Sequence, residues 1–92
     1  MAGDNIGAIV SLSQAIAGKE DYAAAWLLRA EVMLATGGYT DGLQDAEKAV
    51  ELVPEEEQAY LVRGQLREAL KQCEEAEQDY RYVIELNPFN EQ

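Results

Sequence analysis

There is no histidine in these 92 residues, only one cysteine and one tryptophan, and 7 bases stand against 18 acids. Each scarcity closes off a class of function. Without histidine the chain lacks the usual general base, the usual activator of a serine or cysteine nucleophile, and the commonest zinc ligand. The lone Cys73 forms no internal disulfide and no paired-cysteine metal site. It is followed by Glu74 and Glu75 rather than by the cationic groups that activate a thiol, and reads as a small apolar filler in a helix–helix turn. Glu55-Glu56-Glu57 and Glu74-Glu75 lack the spacing of a calcium loop and read as solvated faces. Gly37-Gly38 is no phosphate-binding loop but a helix stop. No enzymatic activity, cofactor or metal is therefore expected. A net charge of −11 repels nucleic acid and anionic lipid, so neither is an expected partner. Apolar runs are short, Ala23–Leu28 being one of the longest, so no membrane span is expected. The start, Met-Ala-Gly-Asp-Asn, lacks the basic segment of a secretory signal, and a cytoplasmic location is the expectation.

What is present is an apolar content of 48%, arranged at helical spacing. Ile6, Ile9, Val10, Ser13 and Ile16 follow a period near 3.6, as do Leu43, Ala46, Ala49 and Val50, and no stretch alternates as a strand would. The pattern predicts an all-α chain of five helices, roughly 5–17, 22–36, 40–53, 57–70 and 74–86. Asp4 or Asn5 is the expected cap of the first helix, and Gly18 its left-handed end. Gly37-Gly38 ends the second, Thr40 or Asp41 caps the third, and Pro54 stops it. Glu55-Glu56-Glu57 fall where the positive end of the fourth helix favours them. The break near Lys71-Gln72 has neither Gly nor Pro, and is placed there because it lies 34 residues after Gly37-Gly38. Short connections predict antiparallel hairpins.

That spacing of 34 recurs throughout. Ala23–Glu56 and Glu57–Asn90 agree at 9 of 34 positions, among them Leu27/Leu61, Arg29/Arg63, Asp45/Asp79, Leu52/Leu86 and Pro54/Pro88. The series Trp26, Ala30, Gly42, Ala46, Ala49, Pro54, then Tyr60, Gly64, Ala76, Tyr80, Val83, Pro88, resembles the tetratricopeptide repeat. Ala8, Leu12 and Ala15 stand one period before Gly42, Ala46 and Ala49, so the first helix matches half a unit. The resemblance implies one domain over 1–92, a half repeat (5–22) and two repeats (23–56 and 57–90), stacked as an antiparallel helix-hairpin solenoid with a right-handed superhelical sense. Arg29 and Arg63 replace the leucine of the signature, Met33 and Arg67 replace an aromatic, and the turn at Cys73 is degenerate.

Two packing expectations follow from the residues. Ala30 faces Gly42 and Gly64 faces Ala76, one Gly and one Ala in each hairpin. Arg29 and Arg63 each have an aspartate 16 residues on, so Arg29–Asp45 and Arg63–Asp79 should pair across their hairpins.

The resemblance also implies a function, since the first helix of each unit lines a concave groove that holds a peptide or helix of a partner protein. Here those residues are Leu27, Leu28, Glu31 and Leu34 facing Gln58, Leu61, Gln65 and Glu68, with Leu28 and Leu34 fitting a core equally well. Lys, Arg and Asn, which grip an acidic carboxy-terminal tail in some members, are missing from these positions. The expected partner is thus an apolar segment with basic flanks, and the expected role a scaffold or adaptor. The alternative is a self-assembling unit or part of a longer array. Ile6, Ile9, Val10 and Ile16 exceed what one neighbour covers, and Tyr82, Val83 and Ile84 follow with no polar capping helix.

Overall fold

Five helices appear in the computed structural model, which describes residues 2–86: α1 (Ala2–Gly18), α2 (Ala23–Thr36), α3 (Tyr39–Leu52), α4 (Glu57–Ala69) and α5 (Cys73–Leu86). No strand occurs among the described residues, and no helix there is long and apolar enough to cross a membrane. Pro88 and Asn90 lie outside them. Consecutive helices pack as antiparallel neighbours, and α2 also touches α4, whereas α1 with α3 and α3 with α5 make no such approach. The chain is therefore a helix-hairpin solenoid in which α2 and α4 form the inner layer and the odd-numbered helices splay outward.

The helix ends differ from the sequence expectation in several places. α1 runs through Asp4 and Asn5, so neither is its cap, and Gly18 is its last helical residue rather than a left-handed stop. α3 starts at Tyr39 behind Gly38, with no side-chain cap, so Thr40 and Asp41 are already inside the first turn. Glu56 occupies the cap position of α4 without a side-chain hydrogen bond, leaving only Glu57 to meet the positive end of the helix. The turn at Lys71 is the informative one. Gly37 has φ of 94° and ends α2, with the N–H groups of Gly37 and Gly38 both donating to the Met33 carbonyl at 2.9 Å. One period later Lys71 has φ of 68°, and the Gln72 N–H donates to the Arg67 carbonyl at 2.7 Å. The same left-handed end is built twice, the second time with a side chain that disfavours it.

Ala30, Ala46, Val62 and Leu66 form the buried centre, with Leu27, Leu34, Tyr39 and Leu43 packed against it. Val62 and Leu66 come from α4 and seat on the α2–α3 hairpin, each worth roughly 1.5–3 kcal/mol of burial. Gly42 makes that seat possible: a Cβ there would stand 3.0 Å from Leu66 Cδ2, 3.1 Å from Met33 Cβ and 3.4 Å from the Ala30 carbonyl oxygen. Ala30 thus faces Gly42, as expected. Gly64 does not have Ala76 as its nearest neighbour. A Cβ on Gly64 would lie 2.7 Å from Tyr80 Cε1, so the hollow left by Gly64 holds the Tyr80 ring. Ala46 occupies the position of Tyr80 one period earlier, which is why copying one hairpin onto the other misleads here.

Candidate functional site: the inner face of α2 and α4

Leu27, Glu31 and Leu34 recur at steps of four and three along α2, and Gln58, Leu61, Gln65 and Glu68 do the same along α4, so each set shares one helix face. Gln58, Gln65 and Glu68 are exposed, while Leu27, Glu31, Leu34 and Leu61 are half-buried. Gln58 Nε2 donates to Glu31 Oε2 at 3.2 Å, which ties the two helices together across the inner face. Leu27 and Leu34 lean on the core, so their outer edges alone are open. Leu28 is 49% exposed and belongs to no core. Glu68 is placed differently from the others. Its Oε1 accepts the Tyr80 hydroxyl at 2.9 Å, and it lines a hollow with Cys73, Glu74, Ala76, Glu77 and Tyr80 on the α4–α5 side. Burial and the bond to Glu68 push the Tyr80 hydroxyl up to about 12. Cys73 is exposed at the start of α5 rather than filling a gap between helices.

Behind this face the arginines are held in place. Arg29 Nε and Nη2 each donate to Asp45 at 2.7 Å, and Nη1 reaches Ser13 Oγ of α1 at 3.0 Å. Arg63 Nη2 donates to Asp79 at 2.7 Å, and Arg67 Nη1 donates to the other oxygen of Asp79 at 3.0 Å. Both aspartates are buried, at 3% and 2% exposure, so the pairs bridge their hairpins instead of lying in solvent. The Arg29 pKa is raised, first by its hydrogen bond to Asp45, with burial opposing. The third guanidinium, Arg67, escaped the sequence reading because its counterpart one period earlier is the apolar Met33. Lys48 pairs with Glu51 and Arg81 with Glu77. Among the described residues only Lys19 and Lys71 lack an ion-pair partner, and neither belongs to the inner-face set. No group of three His, Cys, Asp or Glu residues is arranged to hold a metal among the described residues.

A further feature was not anticipated. Ala23, Ala24, Leu27, Ala49, Val53 and Glu56 surround an apolar hollow of about 260 Å³ where α2 begins and α3 ends. Its only sequence signal is the run Ala23-Ala24-Ala25, which reads as helix-forming and no more.

No protein-family model matches the chain, and no curated protein does. Solved structures do. The tetratricopeptide-repeat domain of Arabidopsis OM64 is 29% identical, with a TM-score of 0.91 over 98% of this chain and 74% of that one. The first such domain of Spaghetti (RPAP3), bound to the HSP90 peptide SRMEEVD, is 29% identical with a TM-score of 0.92, over 97% and 71%. The second domain of human RPAP3, in complex with the HSP70 peptide SGPTIEEVD, is 29% identical with a TM-score of 0.91, over 98% and 75%.

Proposed function

We propose that the chain, a tetratricopeptide-repeat-like domain, is a protein-interaction module that holds a partner segment along the inner face of α2 and α4. The role is binding rather than catalysis, as a scaffold or adaptor. The observation that carries this reading is the inner face itself: half-buried Leu27 and Leu61 beside a Glu31–Gln58 bridge, all on the two helices that approach each other. The structural neighbours captured with HSP90 and HSP70 peptides support peptide binding as a class. They do not carry over the charge. Those peptides end in Glu-Glu-Val-Asp, whereas the seven candidate positions here hold no cation, and Glu31 is the carboxylate that stays on the inner face. An apolar segment with basic flanks is the complementary partner, because acidic rims steer cations and apolar anchors dominate the binding energy.

A peptide array read at low and moderate salt tests this. Apolar segments flanked by Lys or Arg should bind best. Leu61→Ala should speed their dissociation about tenfold, equivalent to roughly 1.4 kcal/mol. Glu31→Gln should mainly slow association and flatten its salt dependence. Preference for acidic peptides, or indifference to Leu61, would overturn the reading. The second reading, self-assembly, is favoured by Ile6 and Val10 on α1, which are 65% and 51% exposed. Sedimentation that is concentration-dependent and abolished by Val10→Lys would support it.

A further inference from the structure

The hollow at the start of α2 stands apart from the rest of the inner face in shape and in lining. Three of its six residues are alanines, and Ala49 and Val53 enter from the last turn of α3 and the link that follows it. One period on, Ala23, Ala24 and Ala49 become Glu57, Gln58 and Val83, larger side chains that would occupy the same space. The three alanines that shape the hollow are thus peculiar to the first repeat. A volume of about 260 Å³ is less than the ~300–1,000 Å³ of a small-molecule site and is of the order of one large side chain.

Charge narrows the occupant. Glu56 lines the hollow, Glu55 and Glu57 flank it in sequence, and no base lines it. The antiparallel helices bring the 19–22 link, with Glu20 and Asp21 against the single cation Lys19, to the same end of the solenoid, so acids outnumber bases around the hollow. Glu31 stands four residues beyond Leu27 on α2, and its carboxylate is steadied from below by Gln58. Four residues of helix rise about 6 Å, and two residues of an extended peptide span about 7 Å. A side chain seated over Leu27 therefore brings the residue two positions away opposite Glu31.

We infer that the hollow anchors one aliphatic or aromatic side chain of the partner segment, with a Lys or Arg two residues from it reaching Glu31. This rests on the peptide-binding reading above and names the chemistry that the site selects. The partner's motif is apolar–x–basic, with further basic residues favoured beside Glu56.

The experiment is fluorescence polarisation with dye-labelled nine-residue Gly/Ser peptides. Each carries Leu, Phe or Ala at the anchor position and Lys, Ala or Glu two residues away. Ala24 is exposed in the first turn of α2, so Ala24→Phe fills the hollow from outside and leaves the buried centre untouched. Circular dichroism confirms that it folds. Wild type should bind the Leu–Lys and Phe–Lys peptides at least tenfold more tightly than the Ala–Lys peptide. Ala24→Phe should erase that difference, and Glu31→Gln should erase the difference between Lys and Ala at the second position. Amide shifts of Ala24 and Val53 on titration with the Leu–Lys peptide locate the anchor independently of affinity. If the peptides bind but ignore both the anchor residue and Ala24→Phe, the hollow is wrong while the inner-face reading stands. If neither these peptides nor the basic-flanked segments of the array bind, both fall.

Discussion

Removing the Asp79 carboxylate should be among the most damaging single changes outside the apolar core. Its side chain is 3% exposed and receives hydrogen bonds from Arg63 Nε and Nη2 and from Arg67 Nη1. The two guanidiniums are 18% and 17% exposed, too covered to regain full hydration by moving outward. Asp79→Ala therefore leaves two cations close together with no anion between them. Breaking a buried pair costs about 3–5 kcal/mol, chiefly through the orphaned charge, and Glu47, 3.9 Å from Arg67 Nη2, offers only partial relief. Asp45→Ala strands one guanidinium, Arg29, which keeps its bond to Ser13 Oγ. It should cost about 2–3 kcal/mol, less than its counterpart.

Urea unfolding followed by circular dichroism reads these differences. A domain of this kind has about 5–15 kcal/mol in total, so Asp79→Asn, which keeps the shape and part of the hydrogen bonding, serves if Asp79→Ala does not fold. The decisive arm is the cycle with Arg63→Ala. The double variant should lose at least about 1 kcal/mol less than the sum of the single losses, since one of the two orphaned cations, Arg63, is removed with Asp79 while Arg67 stays. Strict additivity, or a loss from Asp79→Ala no larger than that from Asp45→Ala, would refute the reasoning.

Gly64→Ala should destabilise by about 1–2 kcal/mol, because overpacking against the Tyr80 ring outweighs the roughly 1 kcal/mol gained in helix propensity. In a Tyr80→Ala background the same substitution should become stabilising, and unfolding curves of the four proteins show whether the sign reverses. Lys71→Gly should stabilise by about 0.5–1 kcal/mol, since glycine takes the left-handed turn without the Cβ penalty, while Gly37→Ala should cost about 1 kcal/mol; thermal melts check both.

The solenoid was legible because its signal is repeated. Arg29 and Arg63, each with an aspartate 16 residues on, announce a cross-hairpin pair more firmly than either could alone. The same logic located the turn at Lys71-Gln72, where no local residue type marks a break. Repetition misled where the copies compensate differently. Gly64 looked like the counterpart of Ala30 facing a small residue, but the volume it frees is taken by Tyr80, whose own counterpart is Ala46. Arg67 joined the Asp79 pair for the same reason, having only Met33 as a guide. Helical spacing put the candidate residues of α2 and of α4 on one face of each helix. It did not show that Glu68 turns to the Tyr80 hydroxyl, because that depends on α5, nor that three alanines enclose a hollow, because that depends on how closely α3 returns to the start of α2.

The period also explains how the two ends of the stack differ. On the first hairpin, Leu34, Tyr39, Leu43 and Ala46 help form the surface on which Val62 and Leu66 of α4 are seated. Thirty-four residues later those positions read Glu68, Cys73, Glu77 and Tyr80. The corresponding surface of the second hairpin is thus rimmed by carboxylates, and the space a neighbour's apolar side chain would enter is already filled by the Tyr80 ring over Gly64. Tyr82 and Ile84 on α5 are nevertheless 36% and 47% exposed, so the polar rim does not cover this end throughout. At the other end α1 has no such substitution, and Ile6 and Val10 stay open. Burying either one recovers apolar surface, whereas covering Glu68 and Glu77 strands them. If copies of this chain associate, α1 offers Ile6 and Val10 away from the inner face, and Val10→Lys and Ala24→Phe would separate that contact from the proposed peptide binding.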